Sequence, residues 1–385
     1  MKWFIILCIT LAVTANNNDF FVRSNKQISV NLYKGVADTH NGSFITCPGS
    51  LQVIFNFISM GARGKTAEEL ASVLLLPNDP GEIQNSIEKL MKQVKKLNKQ
   101  HAFNIVNKMY VQKSFEIAPT FKDIAVEIFK TDIENMDFKD RQRAADEINQ
   151  WVSDKTNNNI RGLITKYDVS ENTPAVLVNT IYLEATWNDR FSSVKPEIFN
   201  LSKNKQVVID MMEQEKQLMY YEDGDLKAKF LKLKYLKSDV VMIVVLPYEI
   251  DGLSHLEANI DRVLQKPKFQ NKKVHVKLPK FETTNSVELI PILQKWGITD
   301  LFKPQANLKG IGVNQEAFYI NQILQKNFIR VHENGTSVAS ATIAIPRLGA
   351  RRGQVERKEF IADHPFIYYI TWQDGIIFTG RFAGN

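Results

Sequence analysis

The stretch HENGTSVASATIAIPRLGARRG, His332 to Gly353, decides how this chain is read. From Thr336 to Pro346 it runs eleven residues without a charge, most of them small, and then meets a cluster of arginines. No apolar face recurs every 3.6 residues, so the run does not make a core helix. As an extended chain it places Thr336, Val338, Ser340, Thr342 and Ala344 on one face. Ser337, Ala339, Ala341, Ile343 and Ile345 fall on the other. Both faces are uncharged, so the segment can be buried as a strand without stranding a charge.

Downstream, PFIYYITWQDGIIFTGRF (Pro365 to Phe382) predicts two strands joined at Gln373-Asp374-Gly375, where Asp-Gly accepts the positive backbone angles of a hairpin. Upstream, DVVMIVVLPY (Asp239 to Tyr248) and KKVHVKLPKFE (Lys272 to Glu282) also read as strands. The first half is helix-rich: 67–76, 81–100, 118–129 and 143–156 space their apolar residues by three or four. Strands and helices mix without strict alternation, and no repeat, low-complexity tract or Pro/Gly/Ser linker divides the chain. The fold class is therefore α+β in one large domain.

At the N-terminus Lys2 precedes the apolar run WFIILCITLAV, Trp3 to Val13, followed by TANNN. The run is too short to span a bilayer, and Val13 and Ala15 suit a signal peptidase. We expect a signal peptide over 1–15, a mature domain over 16–385 and secretion, with no membrane anchor. Cys8 lies in the leader and Cys47 outside it, so the mature chain can form no internal disulfide. About 370 residues can bury enough core without one. Losing Lys2 lowers the formal charge from +7 to +6, a balance that permits polyanion contact without requiring it.

Catalytic signatures are missing. There is no G-x-S-x-G, H-E-x-x-H or C-x-x-C and no histidine pair at metal-ligand spacing, so neither a metal nor a cofactor is expected. GARGKT, Gly61 to Thr66, ends like a phosphate-binding loop, but Ser59 stands where that motif needs glycine. Asp363 beside His364 invites a dyad, yet adjacent residues of a strand point to opposite faces. No nucleic-acid motif is present either.

INQWVSDKTNNNIRGLI, AVLVNTIYLEATWNDRF, VVMIVVLPY, VKLPKFE, WGITDLF, QKNFIRVHENGTSVASAT and FIADHPFIYYI resemble, in order, successive segments of the serpin family, here in the manner of a secreted insect or arthropod member. The resemblance implies three β-sheets, eight or nine helices and an exposed reactive-centre loop, about 333–359. It implies a suicide-substrate inhibitor and not an enzyme: a monomer that forms a covalent complex with a serine or papain-like cysteine protease. The cleaved loop would then insert as a strand. The alternative is a non-inhibitory serpin that binds, stores or carries.

The same resemblance places a hinge at Glu333, Gly335, Thr336, Val338, Ala339, Ala341 and Thr342, with Gly335 as pivot. Asn334, Ser337, Val338 and Ser340 depart from the family pattern. Cys47, Ser50, Asn179, Trp187 and Gln325 map to the shutter and breach, with Cys47 in place of a serine and Gln325 in place of a histidine. Counting forward from the hinge puts the scissile bond at Gly349-Ala350. Counting back from HPF reaches Gln354, which brings Arg351 and Arg352 into range as alternatives for a trypsin-like enzyme. Lys89, Lys92, Lys95, Lys96 and Lys99 lie at helical spacing opposite Leu90, Val94 and Leu97, a candidate site for sulfated polysaccharide. Asn41, Asn200 and Asn334 open glycosylation sequons.

Overall fold

The computed structural model describes residues 20–98, 102–313, 318–336 and 357–384. Nine α-helices occur among them: α1 (Phe20–Ala37), α2 (Pro48–Gly61), α3 (Gly64–Leu74), α4 (Pro80–Asn98), α5 (Pro119–Asp123), α6 (Arg141–Lys155), α7 (Leu253–Ala258), α8 (Ile260–Val263) and α9 (Leu289–Lys295). The strands begin with β1 (Phe44–Thr46), β2 (Ala102–Gln112), β3 (Asp132–Met136), β4 (Ala175–Thr186) and β5 (Ser193–Ser202). Then come β6 (Lys205–Asp223), β7 (Ala228–Lys234), β8 (Val240–Pro247), β9 (Gln270–Pro279) and β10 (Phe281–Glu288). The last five are β11 (Gln322–His332), β12 (Gly335–Thr336), β13 (Arg357–Ile361), β14 (Phe366–Trp372) and β15 (Gly375–Phe382).

Among the described residues the strands form two hydrogen-bonded sheets, not the three the resemblance implies. One has six strands in the order β10-β11-β12-β4-β2-β3. The other has nine, β1-β15-β14-β8-β7-β6-β9-β13, with β5 on β6. The cause is β6, which is long enough to pair β5 over Lys205–Glu213, β9 over Met211–Tyr220 and β7 over Met219–Asp223. It fuses what would otherwise be two sheets.

In the nine-stranded sheet β8 is buried on both faces, which is why its sequence VVMIVVLP is wholly apolar. Val241, Ile243 and Val245 enter the larger core with α1 and α2, while Val240, Met242, Val244 and Leu246 enter a second core on the other face. Helix α6 starts at Asp140, whose carboxylate accepts the Arg143 N–H at 3.1 Å. It lays Ala144, Ile148 and Val152 on Tyr110, Val176, Val178 and Phe328 of the six-stranded sheet. Helix α4 buries Ile83, Ile87 and Met91, one face at a spacing of four.

Two local expectations are corrected. In the β14–β15 hairpin the left-handed residue is Gln373 (φ 48°), so the turn is Gln373-Asp374 and Gly375 already belongs to the strand. Asp363 and His364 lie in the bend between β13 and β14, not in a strand, and so they do meet: His364 Nδ1 is 2.8 Å from Asp363 Oδ1. The other ring nitrogen is 2.9 Å from the Pro247 carbonyl and the histidine is buried, so the pair ties two strands and leaves no nitrogen for catalysis.

Candidate functional site

The six-stranded sheet is split along one seam. β4 and β11 run parallel and pair only through Val176–Asn179 with Gln322–Gln325. Farther along, β12 enters between them: Gly335 pairs with Thr186 and His332, and Thr336 with Ala185 and Val331. Between these two points, residues 180–184 of β4 and 326–330 of β11 have no ladder to each other among the described residues. Strands need every backbone donor and acceptor matched, so a parted seam with a chain already started into it is a place for one more strand.

At the closed end, five buried polar side chains hold the seam. Cross-strand register puts Asn107 of β2 beside Asn179 of β4, and Asn179 beside Gln325 of β11. Pro48 at the first position of α2 starts that helix under the sheet and brings up Ser50. Asn179 Nδ2 donates to Ser50 Oγ (2.5 Å) and Asn107 Oδ1 (2.7 Å), and Gln325 Nε2 donates to Asn179 Oδ1 (2.6 Å). Asn327 Nδ2 donates onward to Gln325 Oε1 (3.3 Å) and to the Ile45 carbonyl (3.1 Å). Gln325 therefore links Asn179 of β4 to Asn327 of its own strand. Cys47 is fully buried at the head of α2, its thiol 3.3 Å from the Ile377 carbonyl, and burial pushes that thiol up to about 12. It is a packed neutral side chain, not a nucleophile.

At the open end, Trp187 grips the turn that precedes β12. Its Nε1 donates to the His332 carbonyl and its backbone N–H to the Asn334 carbonyl, both at 2.9 Å. Its ring stacks on Tyr235 at 4.4 Å, and the Tyr235 hydroxyl is 2.7 Å from Thr336 Oγ1. Glu333 is paired with Lys280 Nζ at 3.1 Å. Burial alone would push the Glu333 carboxyl up, but its own backbone N–H and Lys280 hold it below the ordinary carboxylate range. Gly335 has φ +151°, and a Cβ there would lie 2.1 Å from the Ala185 carbonyl oxygen. The glycine is thus required by close approach to β4, beyond any service as a pivot.

Of the residues singled out in the sequence, Ser50, Asn179 and Gln325 come together at the closed end, and Trp187, Glu333, Gly335 and Thr336 at the open end. Cys47 sits beside the first group at the head of α2, its thiol turned to the Ile377 carbonyl. Val338, Ala339, Ala341, Thr342, Gly349, Ala350, Arg351, Arg352, Lys99 and the leader 1–15 lie outside the described residues, as does the side chain of Lys96. Lys89, Lys92 and Lys95 are exposed on α4, with Lys92 held by Glu88 at 2.6 Å. Among the sequons, Asn41 is exposed. Asn200 is half-buried and donates to the Asp363 carbonyl, and Asn334 is half-buried in the turn that Trp187 holds. Sequence reasoning missed Asn107, Asn327, Tyr235 and Lys280. Asn107 and Asn327 carried a usable signal, being strand-disfavoured amides flanked by strand-forming apolar residues, Ile105 and Val106 in β2 and Phe328 and Ile329 in β11.

The family model described as "Serpin (serine protease inhibitor)" matches residues 23–384. Serine protease inhibitor 42Dd of Drosophila melanogaster is 31% identical over 360 residues, covering 92% of this chain and 95% of its own. Among solved structures, Serpin48 of the insect Tenebrio molitor is 31% identical with a TM-score of 0.89, covering 96% of this chain and 99% of that one. Human thyroxine-binding globulin superposes with a TM-score of 0.85 over 95% of this chain and 99% of its own, at 23% identity, a likeness of fold alone.

Proposed function

The chain belongs to the serpin family of protease inhibitors, whose members are not enzymes, and from that premise we propose that it is a secreted suicide-substrate inhibitor. The observation that carries the reading is the split seam, with β12 already entered between β4 and β11. The sequence that follows, Ser337 to Pro346, is uncharged on both faces, as a strand buried between two others must be. A protease attacks the loop, becomes acylated through the new carbonyl terminus, and is carried along as the loop enters the seam. Docked at Gly335 and Thr336, the loop needs no new nucleus: each further residue extends an existing ladder.

We place the scissile bond at Gly349-Ala350, with Arg351 and Arg352 as the trypsin-directed alternative, and the target among serine or papain-like cysteine proteases. Incubation with a panel of both classes should yield a complex that survives denaturing electrophoresis. The new N-terminus of the released C-terminal fragment identifies the bond: Ala350 for the first placement, Arg352 or Gly353 for the alternative. Cleavage of the loop by every enzyme of the panel with no stable complex would instead favour a non-inhibitory carrier, a reading to which Asn334, Ser337 and Val338 lend weight.

The exposed Lys89, Lys92 and Lys95 support a sulfated polysaccharide as a second partner. Retention on heparin should weaken with salt and with alanine at Lys92, Lys96 and Lys99. Among the sequons, Asn41 suits a glycan best, because it is exposed, whereas Asn200 uses its carboxamide on the Asp363 carbonyl and Asn334 is half-buried.

A further inference from the structure

A charged ladder runs across β13, β9, β6 and β5, away from the seam. In register, His275 of β9 lies between Glu215 of β6 and Glu359 of β13. Its Nδ1 is 2.8 Å from Glu359 Oε2 and its Nε2 2.8 Å from Glu213 Oε1. Carboxylates only accept, and a neutral imidazole has one N–H, so only the imidazolium can donate to both. Around this bridge, Lys273 (2.6 Å) and Arg357 (3.2 Å) hold Glu215, and Arg357 also holds Glu359. Lys277 holds Glu197 of β5 at 2.6 Å, and Lys195 of β5 acts on Glu213. His275 therefore faces the acids Glu197, Glu213, Glu215 and Glu359 and the cations Lys195, Lys273, Lys277 and Arg357.

Among the described residues β13 is an edge strand of five residues whose one ladder is the parallel pairing to β9, and in the sequence it directly follows residues 337–356. Loss of the His275 proton would turn one N–H into a lone pair facing a carboxylate, Glu359 of β13 or Glu213 of β6, and so weaken the bridge that ties β13 through β9 to β6. We propose that protonated His275 is a pH-dependent fastener of β13, clamping that anchor to β9 and β6 and loosening it as the ring deprotonates.

The direction agrees. Burial alone pulls the His275 ring down, but bonds to Glu213 and then Glu359 outweigh it and hold it above the ordinary histidine value. A raised folded value means the fastening is complete below the unfolded histidine pKa, and is lost as pH rises through the folded one. Lys229 Nζ to the Glu359 carbonyl (3.0 Å) and Lys358 to Glu222 (3.7 Å) still tie the strand, so it loosens and does not leave. The proposal does not depend on loop insertion.

Amide hydrogen exchange of the intact protein, followed by mass spectrometry from pH 5.5 to 9 and corrected for intrinsic rates, tests it. The peptide spanning Arg357–Ile361 should lose roughly two- to fivefold of its protection as pH rises through that range, the scale for partly exposed ion pairs. Peptides from β14 and β15 should not change. His275→Gln should remove the pH dependence, and Glu359→Gln should reduce it. A flat wild-type profile would overturn the proposal even if neither variant folds, and so would an undiminished drop in His275→Gln.

Discussion

Replacing Gly335 with alanine puts the docking of the loop's first residues to a sharp test. The added Cβ would lie 2.1 Å from the Ala185 carbonyl oxygen and 2.7 Å from the Thr186 Cα, both backbone atoms of a paired strand that cannot swing aside. The backbone angle, φ +151°, is itself strained for any residue with a side chain, by about 1–3 kcal/mol. The cheapest escape is for β12 to leave the seam. Its cost is set by what β12 forfeits: the two-residue ladder and the Thr336 bond to Tyr235, at about 1 kcal/mol net for each bond. Undocking therefore becomes easier by about 2–3 kcal/mol, or roughly 30- to 150-fold in the opening equilibrium. Hydrogen exchange resolves this at the amides of Gly335 and Thr336, which should lose protection by that factor while β10 and β2 keep theirs. Inhibition should slow in parallel, because insertion then begins from an undocked chain. Unchanged protection at those two amides would refute the reasoning.

Three further outcomes follow from the same geometry. Asn179→Ala removes the hub of the buried carboxamide group and strands the Gln325 Nε2 donor; it should cost about 2–4 kcal/mol, a fall in melting temperature of roughly 3–5 °C by calorimetry. Cys47, its thiol raised to about 12 by burial, should resist iodoacetamide in the native protein at pH 8 and react fully once the chain is unfolded in guanidinium. Glu333 is held below the ordinary carboxylate value, so its contribution is present above the unfolded pKa and lost as pH falls through the folded one. Because the Lys280 pair is partly exposed, that loss should be under about 1 kcal/mol in acid denaturation curves, and Glu333→Gln should flatten it.

Much of this was legible in the sequence, and what was not has definite causes. Helices α3, α4 and α6 announce themselves because each buries one face only, as Ile83, Ile87 and Met91 do. Helix α2 does not, since Leu51, Val53, Ile54, Phe55, Phe57 and Ile58 are all buried and the periodic contrast is gone. β8 was plain from its unbroken apolar run. By contrast, the β5–β6 hairpin was not, because Ile198 and Val208 face solvent while Glu213 and Glu215 find partners across the sheet. The seam residues Asn179, Gln325 and Gly335 could be placed by resemblance, but their bonding could not. That Asn107, Asn179 and Gln325 form one row depends on a register between strands far apart in sequence, which no local pattern encodes. Tyr235 and Lys280 were invisible for the same reason: each acts on the hinge from a different sheet or loop.

Insertion itself is tested most directly by melting the protein before and after nicking the loop within residues 337–356 with a non-target protease. If the freed segment enters the seam between β4 and β11, a strand of about a dozen residues adds on the order of 10 kcal/mol in backbone hydrogen bonds. For a chain of this size that raises the melting temperature by roughly 10–15 °C. A nicked protein that melts where the intact one does would contradict the account, since the seam would then hold no place for the loop.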